Sequence, residues 1–428
     1  MKAYKYLLFL LPLTALFSVE GPGDVNDQVD YNVLRDYIDT QRKVTIKELG
    51  GRLSIAGEVR TEMQATGEVK DGDRQRGSGG ATDKPFIAWD VEVNIMIDYR
   101  ADRTWATIKL EFDNNAGTTR FGGGSGTFDK LTVERAFLGA RLFDEDTYTT
   151  DLMFGRRRLS YTFDSRLQFG SFMDGIVLNY SRAFDQFGNY YVTGGPFVVN
   201  ENRAQYAWVF ETGLLGAWNT GLYLKYSLID WDTKTFERND FNGTEEQKDN
   251  QVEVFSNRFN YFVSQLTAGY KFKTRWDKSM TFYGAFLVNH AADPIEGLTD
   301  GKKKNNAWYA GFSLGEARKK GDWSFDTNYQ WVQTLAYPSF DASGISLGNA
   351  AGVDLFGIGD GINIRPRDLD FSNAVGNTNY RGFTMQFLYL WTNNLTMFQS
   401  WSQSITLDKG RGPFMRYKQY EIELIYAF

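Results

Sequence analysis

The chain of 428 residues contains no cysteine and a single histidine, His290. The absence of cysteine excludes disulfides, thiolate metal sites and cysteine nucleophiles. One histidine excludes a zinc centre built from several imidazoles, because such a centre needs several protein ligands. Proline is scarce as well, with 8 residues. We therefore expect no cofactor and no metal site.

Long apolar runs are also missing. After residue 18, no uninterrupted apolar run approaches the roughly 20 residues that a membrane-spanning helix needs. Near the start, Lys2 and Lys5 precede the shorter apolar run YLLFLLPLTALF, which Ser18 and a polar stretch follow. This order of charged, apolar and cleavage regions predicts a signal peptide over residues 1–18. A permanent N-terminal anchor is the alternative.

Aromatic residues and glycine are abundant, with 24 Tyr, 34 Phe, 11 Trp and 43 Gly. This composition favours a β-rich protein that carries aromatic side chains on exposed pleats. The net charge of −6 argues against nucleic-acid binding.

Apolar and charged residues alternate with a period of two in several segments. In RLSIAGEVRTEMQA (52–65), Leu53, Ile55 and Val59 share one parity, whereas Glu58 and Arg60 share the other. A strand face that carries Glu58, Arg60 and Glu62 cannot line a dry core, but it can line a water-filled space. Only helices and closed sheets satisfy every backbone hydrogen bond in lipid, so a membrane protein with these strands must be a closed barrel. A soluble β-sandwich with one wet face is the alternative.

Connections alternate between short turns and long polar stretches. Seven short turns and eight long stretches divide residues 51–428 into sixteen strands, with fourteen or eighteen as open alternatives. This pattern is typical of outer-membrane barrels. The predicted fold is all-β, a transmembrane antiparallel barrel of about sixteen strands. Residues 19–50 carry apolar residues at helical spacing, which predicts a periplasmic segment with one short helix, or a flexible tether.

Several stretches resemble the family of bacterial outer-membrane β-barrel porins. They are RLSIAGEVRTEMQ at the first strand, AWYAGFSLGEARKKGDWSFDTNYQWVQTLAYPSF (307–340), RGFTMQFLYLWTNNLTMF (381–398) and the final YEIELIYAF. The resemblance implies a location in a Gram-negative outer membrane and passive diffusion of small hydrophilic solutes. The final strand, which ends in Phe428, is similar to the signal that the barrel-assembly machinery recognises. A single barrel and a homotrimer both stay open. A surface adhesin or structural barrel that acts through its outer loops is the alternative function.

The inward parity predicts the residues that line the pore. The predicted lining is Glu58, Arg60, Glu62, Asp90, Glu92, Asp98, Lys109, Glu111, Arg157, Glu211, Lys225 and Asp326. A constriction is predicted at residues 156–173, where the basic candidates are Arg156, Arg157, Arg158 and Arg166. An arginine cluster at the narrowest point favours anions even in an acidic wall, because local charge outweighs the average. Alternatively, the arginines brace the loop or contact lipid headgroups at the rim.

Enzymatic chemistry is not expected. His290 and Asp293 lie close together in NHAAD, but no GxSxG elbow accompanies them. The glycine run RFGGGSGTF lacks the lysine and helix of a phosphate loop, and NDFNGTEEQKDN lacks the spacing of an EF-hand. Both stretches are interpreted as outer loops.

Overall fold

A computed structural model describes residues 44–46, 52–76, 80–81, 86–115, 130–201, 204–232, 243–249, 260–295, 298–348, 377–409 and 412–428. The predicted signal peptide and helix lie outside the described residues and stay predictions. No helix among the described residues is long and apolar enough to cross a membrane.

Sixteen long strands, β1 to β16, form the body of the protein. In chain order they are Leu53–Lys70, Phe86–Ala101, Thr104–Asn115, Lys130–Asp144, Tyr148–Arg158, Phe172–Phe184, Gly188–Asn200, Gln205–Leu215, Leu222–Asp232, Tyr261–Lys273, Ser279–Asn289, Asn306–Gly315, Trp323–Val332, Tyr380–Leu390, Leu395–Thr406 and Met415–Ala427. Short strands at Val44–Ile46, Asp73–Arg76 and Gly80–Ala81 pair at the margins of this sheet.

Each long strand pairs antiparallel with the next, and β16 pairs with β1. This last ladder runs from Met415 opposite Lys70 to Ala427 opposite Glu58, so the sheet closes on itself. The predicted all-β barrel of sixteen antiparallel strands is confirmed. Closure leaves none of the sixteen strands as an unpaired sheet edge.

The two ends of the barrel differ in the length of their connections. Turns such as Asp102–Arg103 and residues 145–147 join strands at one end, the short-turn end. Longer connections, including residues 159–171 and 333–379, join strands at the other end, the long-loop end. This alternation follows the spacing of the turn signals in the sequence.

The two faces of the sheet have opposite chemistry. Ile55, Val59 and Val91 are exposed on the outward face, whereas Glu58 and Arg60 are buried inside the barrel. Successive side chains in a strand point to opposite faces, so the alternation in the sequence builds an apolar exterior around a polar interior.

A bulge interrupts the alternation in β4. Its register against β3 shifts between Lys109 and Leu110, which face Arg135 and Val133, so Glu134 is an extra residue. Glu134 and Arg135 are both buried. A bulge places two successive side chains opposite one partner residue and so re-aims them.

Candidate pore constriction

The connection between β5 and β6 folds into the barrel. This inward loop, residues 159–171, starts with a 3-10 turn at Leu159–Tyr161. Backbone hydrogen bonds close its base: the Leu159 amide donates to the Ser171 carbonyl at 2.9 Å, and the Ser160 amide donates to the Phe169 carbonyl at 2.8 Å.

Polar residues at the tip of the inward loop contact strands far along the sheet. The Lys225 ammonium of β9 lies 3.0 Å from the Asp164 carboxylate, and the Ser165 hydroxyl lies 2.7 Å from the Gln265 side-chain oxygen of β10. The Arg166 guanidinium lies 3.1 Å from the Asp326 carboxylate of β13. Since β13 is the eighth strand after β5 among sixteen, the inward loop crosses the bore.

A network of acids and hydroxyls surrounds this crossing point. The Asp164 amide donates to Glu211 at 2.8 Å, and the Tyr191 hydroxyl donates to the other oxygen of the same carboxylate at 2.7 Å. The Tyr283 hydroxyl donates to Asp326 at 2.8 Å, while the Arg166 guanidinium lies 4.5 Å from the centre of the Tyr283 ring. Charge-assisted hydrogen bonds of this kind fix the position of the loop.

A second connection covers the inward loop. The covering segment, residues 333–348, follows β13 and includes Asp341, whose carboxylate accepts hydrogen bonds from the Phe169 and Ser171 amides at 2.9 and 3.1 Å. The Ser343 amide donates to the Leu167 carbonyl at 2.9 Å. Burial raises the pKa of Asp341 to about 6, although these donors and Arg158 favour the charged form.

An apolar cluster fills the long-loop half of the bore on the side formed by β6 to β14. Leu159, Phe163, Leu167 and Phe169 of the inward loop are buried in it. Strands β6 to β14 supply most of the rest, including Val177, Phe197, Val209, Ile229, Trp231, Val263, Leu287, Tyr309, Val332 and Tyr380, and the connections add Ala292, Ile295, Leu298, Leu335, Ala336 and Tyr337. Burial of this apolar surface stabilises the loop inside the barrel.

The wall from β16 to β5 carries buried charges. Arg60 lies 2.5 Å from Glu58 and 3.2 Å from Glu423, and Lys109 lies 2.6 Å from Glu134. Carboxylate oxygens of Glu62, Glu421 and Glu423 all lie within 4.8 Å of one another. The long-loop half of β6 to β14 is therefore apolar inside, whereas the wall from β16 to β5 is charged.

The predicted pore-lining residues occupy this interior to different extents. Glu58, Arg60, Asp98, Lys109, Arg157, Glu211 and Asp326 are buried, and Glu62, Glu92, Glu111 and Lys225 are half-buried. Asp90 lies opposite Glu62 in the register, and its side chain lies outside the described part.

The structure separates the four arginines that the sequence grouped together. Arg157 and Arg166 lie inside the barrel. Arg156 lies on the other face of β5, 2.9 Å from the exposed Asp174, and Arg158 lies over the ring of Phe172. Consecutive strand residues point to opposite faces, so Arg156, Arg157 and Arg158 do not form one cluster in the bore.

Two cavities lie next to the inward loop. The larger, of about 580 Å³, extends from the loop residues 160–164 to the turn at Glu145–Thr149, so it lies toward the short-turn end. Its charged lining includes Asp164, Glu211 and Lys225. The smaller, of about 300 Å³, lies between Tyr161 and strands β4 to β7.

The only histidine lies away from this interior. The His290 Nε2 atom lies 2.6 Å from the Ser264 hydroxyl, and Ser264 shares its parity with the exposed Leu266 on the outward face. Among the described residues, no carboxylate pairs with His290, and Asp293 does not contact it. Sequence reasoning missed Ser264, because it lies on a different strand.

Sequence reasoning also missed several interior residues. The inward position of Arg135 was not predicted, because the bulge at Glu134 breaks the period of two in the sequence. Asp164 lies within the predicted constriction segment, but nothing local indicates its contact with Lys225 of β9. Asp341 is one acid among many in its connection, and only the fold places it against the inward loop.

Comparisons with known proteins identify the fold. No family model and no curated protein matches the sequence. Among solved structures, OprB of Pseudomonas putida matches with a TM-score of 0.51 at 11% identity over 89% of this chain and 96% of that chain. The outer membrane channel DcaP of Acinetobacter baumannii matches with a TM-score of 0.44 at 9% identity over 88% of this chain and 97% of that chain. The sixteen-strand barrel of this chain has the fold of OprB.

Proposed function

We propose that this chain forms a water-filled channel in an outer membrane and that small hydrophilic solutes and ions diffuse passively through it. The observation that carries the proposal is the inward loop, which crosses a closed barrel and brings Arg166 against Asp326 of the opposite wall and Asp164 against Lys225 of β9. A charged interior of this kind suits hydrated solutes, whereas the apolar exterior suits lipid.

Beside the apolar cluster, the proposed route follows the charged side of the interior. The apolar cluster fills the side formed by β6 to β14, so solutes pass along β16 to β5, where Glu62, Glu92 and Glu111 are partly exposed and Arg60 and Lys109 are buried in ion pairs. Below the inward loop, the cavity of about 580 Å³ continues toward the short-turn end. Opposite charges along such a narrow route act strongly on ions, because low-dielectric walls focus the field.

The proposal includes the partners of the channel. Outer-membrane lipid surrounds the apolar exterior, and export through the periplasm and recognition of Phe428 by the barrel-assembly machinery precede insertion. The channel needs no cofactor and performs no covalent chemistry.

Planar-bilayer recording of the purified, refolded protein tests the proposal. We expect stepwise current increases as single barrels insert, with a conductance that grows with salt concentration. Heat-denatured protein is the control and gives no steps. A barrel that inserts but stays electrically silent contradicts the proposal and favours a surface adhesin or a structural barrel.

A further inference from the structure

The guanidinium of Arg157 is buried, and one of its edges, formed by Nε and Nη2, makes no hydrogen bond to the described residues. The residue is 4% exposed, and its Nη1 atom contacts only the weak acceptor Met153 Sδ, at 3.6 Å. Among the described residues, no hydrogen-bond acceptor reaches its Nε or Nη2 atom. A buried charge without a partner is costly, so a native fold satisfies it with ordered water or with a ligand.

Among the described residues that line the cavity around this edge, none is acidic. The cavity of about 300 Å³ is lined by Arg157 and Arg135 together with neutral side chains, among which Thr193 has a buried hydroxyl without a described hydrogen-bond partner. The nearest acid on β4, Glu134, is held by Lys109 and by the Tyr161 hydroxyl. The cavity therefore presents a net positive lining to whatever enters it.

Aromatic rings and a thioether form much of the remaining lining. The Arg157 guanidinium lies 4.4 Å from the centre of the Phe137 ring, and the Arg135 guanidinium lies 3.7 Å from the centre of the Tyr161 ring. Met153 and the ring of Tyr191 complete the wall. Such surfaces pack against a carbon skeleton, which an inorganic anion lacks.

We propose that this cavity is a binding subsite for a small organic carboxylate with an apolar or aromatic body. The Nε and Nη2 atoms of arginine form a fork that binds both oxygens of a carboxylate, while Phe137, Met153 and Tyr191 contact its carbon skeleton. The anion also offsets the repulsion between Arg135 and Arg157. Tyr161, Thr162, Asn179 and Tyr191 line the larger cavity as well, so the subsite opens onto the route. That it lies on a solute route rests on the proposed function.

Benzoate is the probe, and binding to the detergent-solubilised full-length protein is measured by isothermal titration calorimetry. We expect Arg157→Gln to weaken benzoate binding by roughly ten- to a hundredfold, because a hydrogen bond to a charged group contributes about 1.5–3 kcal/mol. Arg157→Lys keeps the charge but loses the fork, and it weakens binding as well. Arg156→Gln is the matched control, since this neighbour lies on the outward face with Asp174, and it binds benzoate as the wild type does. Heat-modifiable migration on gels shows that each variant is folded.

Three results overturn the subsite. In the first, the wild-type protein does not bind benzoate. In the second, Arg157→Gln binds benzoate as tightly as the wild type does. In the third, benzyl alcohol or inorganic phosphate binds to the wild type as tightly as benzoate does. The first two remove the role of Arg157. The third shows a purely apolar site or a general anion site instead of one for organic carboxylates.

Bilayer recording separates this inference from the proposed function. We expect benzoate to block the current of the wild type and of Arg156→Gln at concentrations that leave Arg157→Gln open. A conducting channel that benzoate neither enters nor blocks contradicts the subsite and leaves the channel standing. A silent barrel that binds benzoate through Arg157 contradicts the channel and supports the subsite.

Discussion

At the scale of the residue, the environment of a charge changes completely from one position to the next. Arg156 lies in an exposed ion pair with Asp174, whereas Arg157 is buried beside Phe137. These two residues are adjacent in β5, so their side chains point to opposite faces of the sheet. The run GRRRL therefore predicts basic groups near the constriction but does not predict that they share one site.

Asp341 links the covering segment to the inward loop, and its protonation should control how firmly the two hold together. Its pKa lies near 6 in the folded protein, against an ordinary value of 3.8. In the closed state the carboxyl binds a proton below about pH 6, but once the loop opens it binds one only below its ordinary value. The contribution to loop stability is therefore complete below pH 3.8 and is lost as the pH rises through about 6.

Amide hydrogen exchange of Phe169 and Ser171 measures this effect, because both amides donate to Asp341. We expect their protection, corrected for the intrinsic exchange rate, to fall roughly tenfold between about pH 5 and pH 7.5. The variant Asp341→Asn does not titrate and should lose this pH dependence. An equal dependence in the variant would assign the effect to another group.

At the scale of the element, the inward loop is held by apolar burial at its base and by polar contacts at its tip. Leu159 and Phe169 lie in the apolar cluster, whereas Asp164 and Arg166 contact β9 and β13. Loss of one tip contact should loosen the tip without unfolding the barrel, because the base keeps its packing.

The variant Arg166→Ala tests the tip of the inward loop. It removes the ion pair with Asp326 and the contact with the Tyr283 ring, and it leaves the Asp326 carboxylate without its cation. We expect a larger single-channel conductance and a shift of the reversal potential toward cation selectivity in a salt gradient. Arg156→Ala is the control and should change neither quantity. Unchanged selectivity in Arg166→Ala would show that Arg166 lies outside the ion route.

The seam between β16 and β1 depends on a glycine. The Gly57 amide donates to the Phe428 carbonyl at 2.9 Å, and the Phe428 amide donates to the Gly57 carbonyl at 2.8 Å. The ring of Phe428 covers Gly57, so a Cβ atom at residue 57 would overlap it. This contact joins the first strand of the barrel to the last residue of the chain.

We expect Gly57→Val to lower the fraction of protein that folds into the heat-modifiable barrel, because the new side chain displaces the Phe428 ring. Gly67→Val in the same strand is the control, since no atom lies within 4 Å of a Cβ atom placed there. The double variant Gly57→Val with Phe428→Ala should recover part of the folded fraction. Equal folding yields of the two valine variants would contradict the steric argument.

The strands were predictable from the sequence, whereas the contacts of the loops were not. Side-chain parity in segments such as RLSIAGEVRTEMQA depends only on neighbouring residues, and so the barrel and its sixteen strands follow from local patterns. The bulge at Glu134 and the contact between Arg166 and Asp326 depend on residues on other strands. Segment 156–173 was recognised as a candidate constriction by its position and charge, but its partners come only from the closed fold.

At the scale of the whole molecule, the closed sheet is the main source of cooperativity. Each of the sixteen strands pairs with two neighbours, and the pairing of β16 with β1 completes the ring. Opening the ring at any seam exposes backbone groups that lipid and detergent cannot satisfy. The barrel should therefore unfold as one unit.

Electrophoresis tests whether the barrel unfolds as one unit. Unheated protein in dodecyl sulfate should stay compact and migrate faster than protein that has been boiled, with no intermediate bands between the two forms. The exposed apolar face, which includes Trp89, Leu138 and Phe286, should also make detergent necessary for solubility. A polypeptide that stays dissolved after the detergent is removed would contradict a membrane barrel.

The contact between the inward loop and β13 has a mechanical consequence. A thin-walled tube under sideways pressure deforms into an oval, with one diameter shortened and the other lengthened. The ion pair of Arg166 with Asp326 links the inward loop, which connects β5 and β6, to β13, half the circumference away. We expect the loop to resist this flattening when the surrounding lipids press on the barrel from the side.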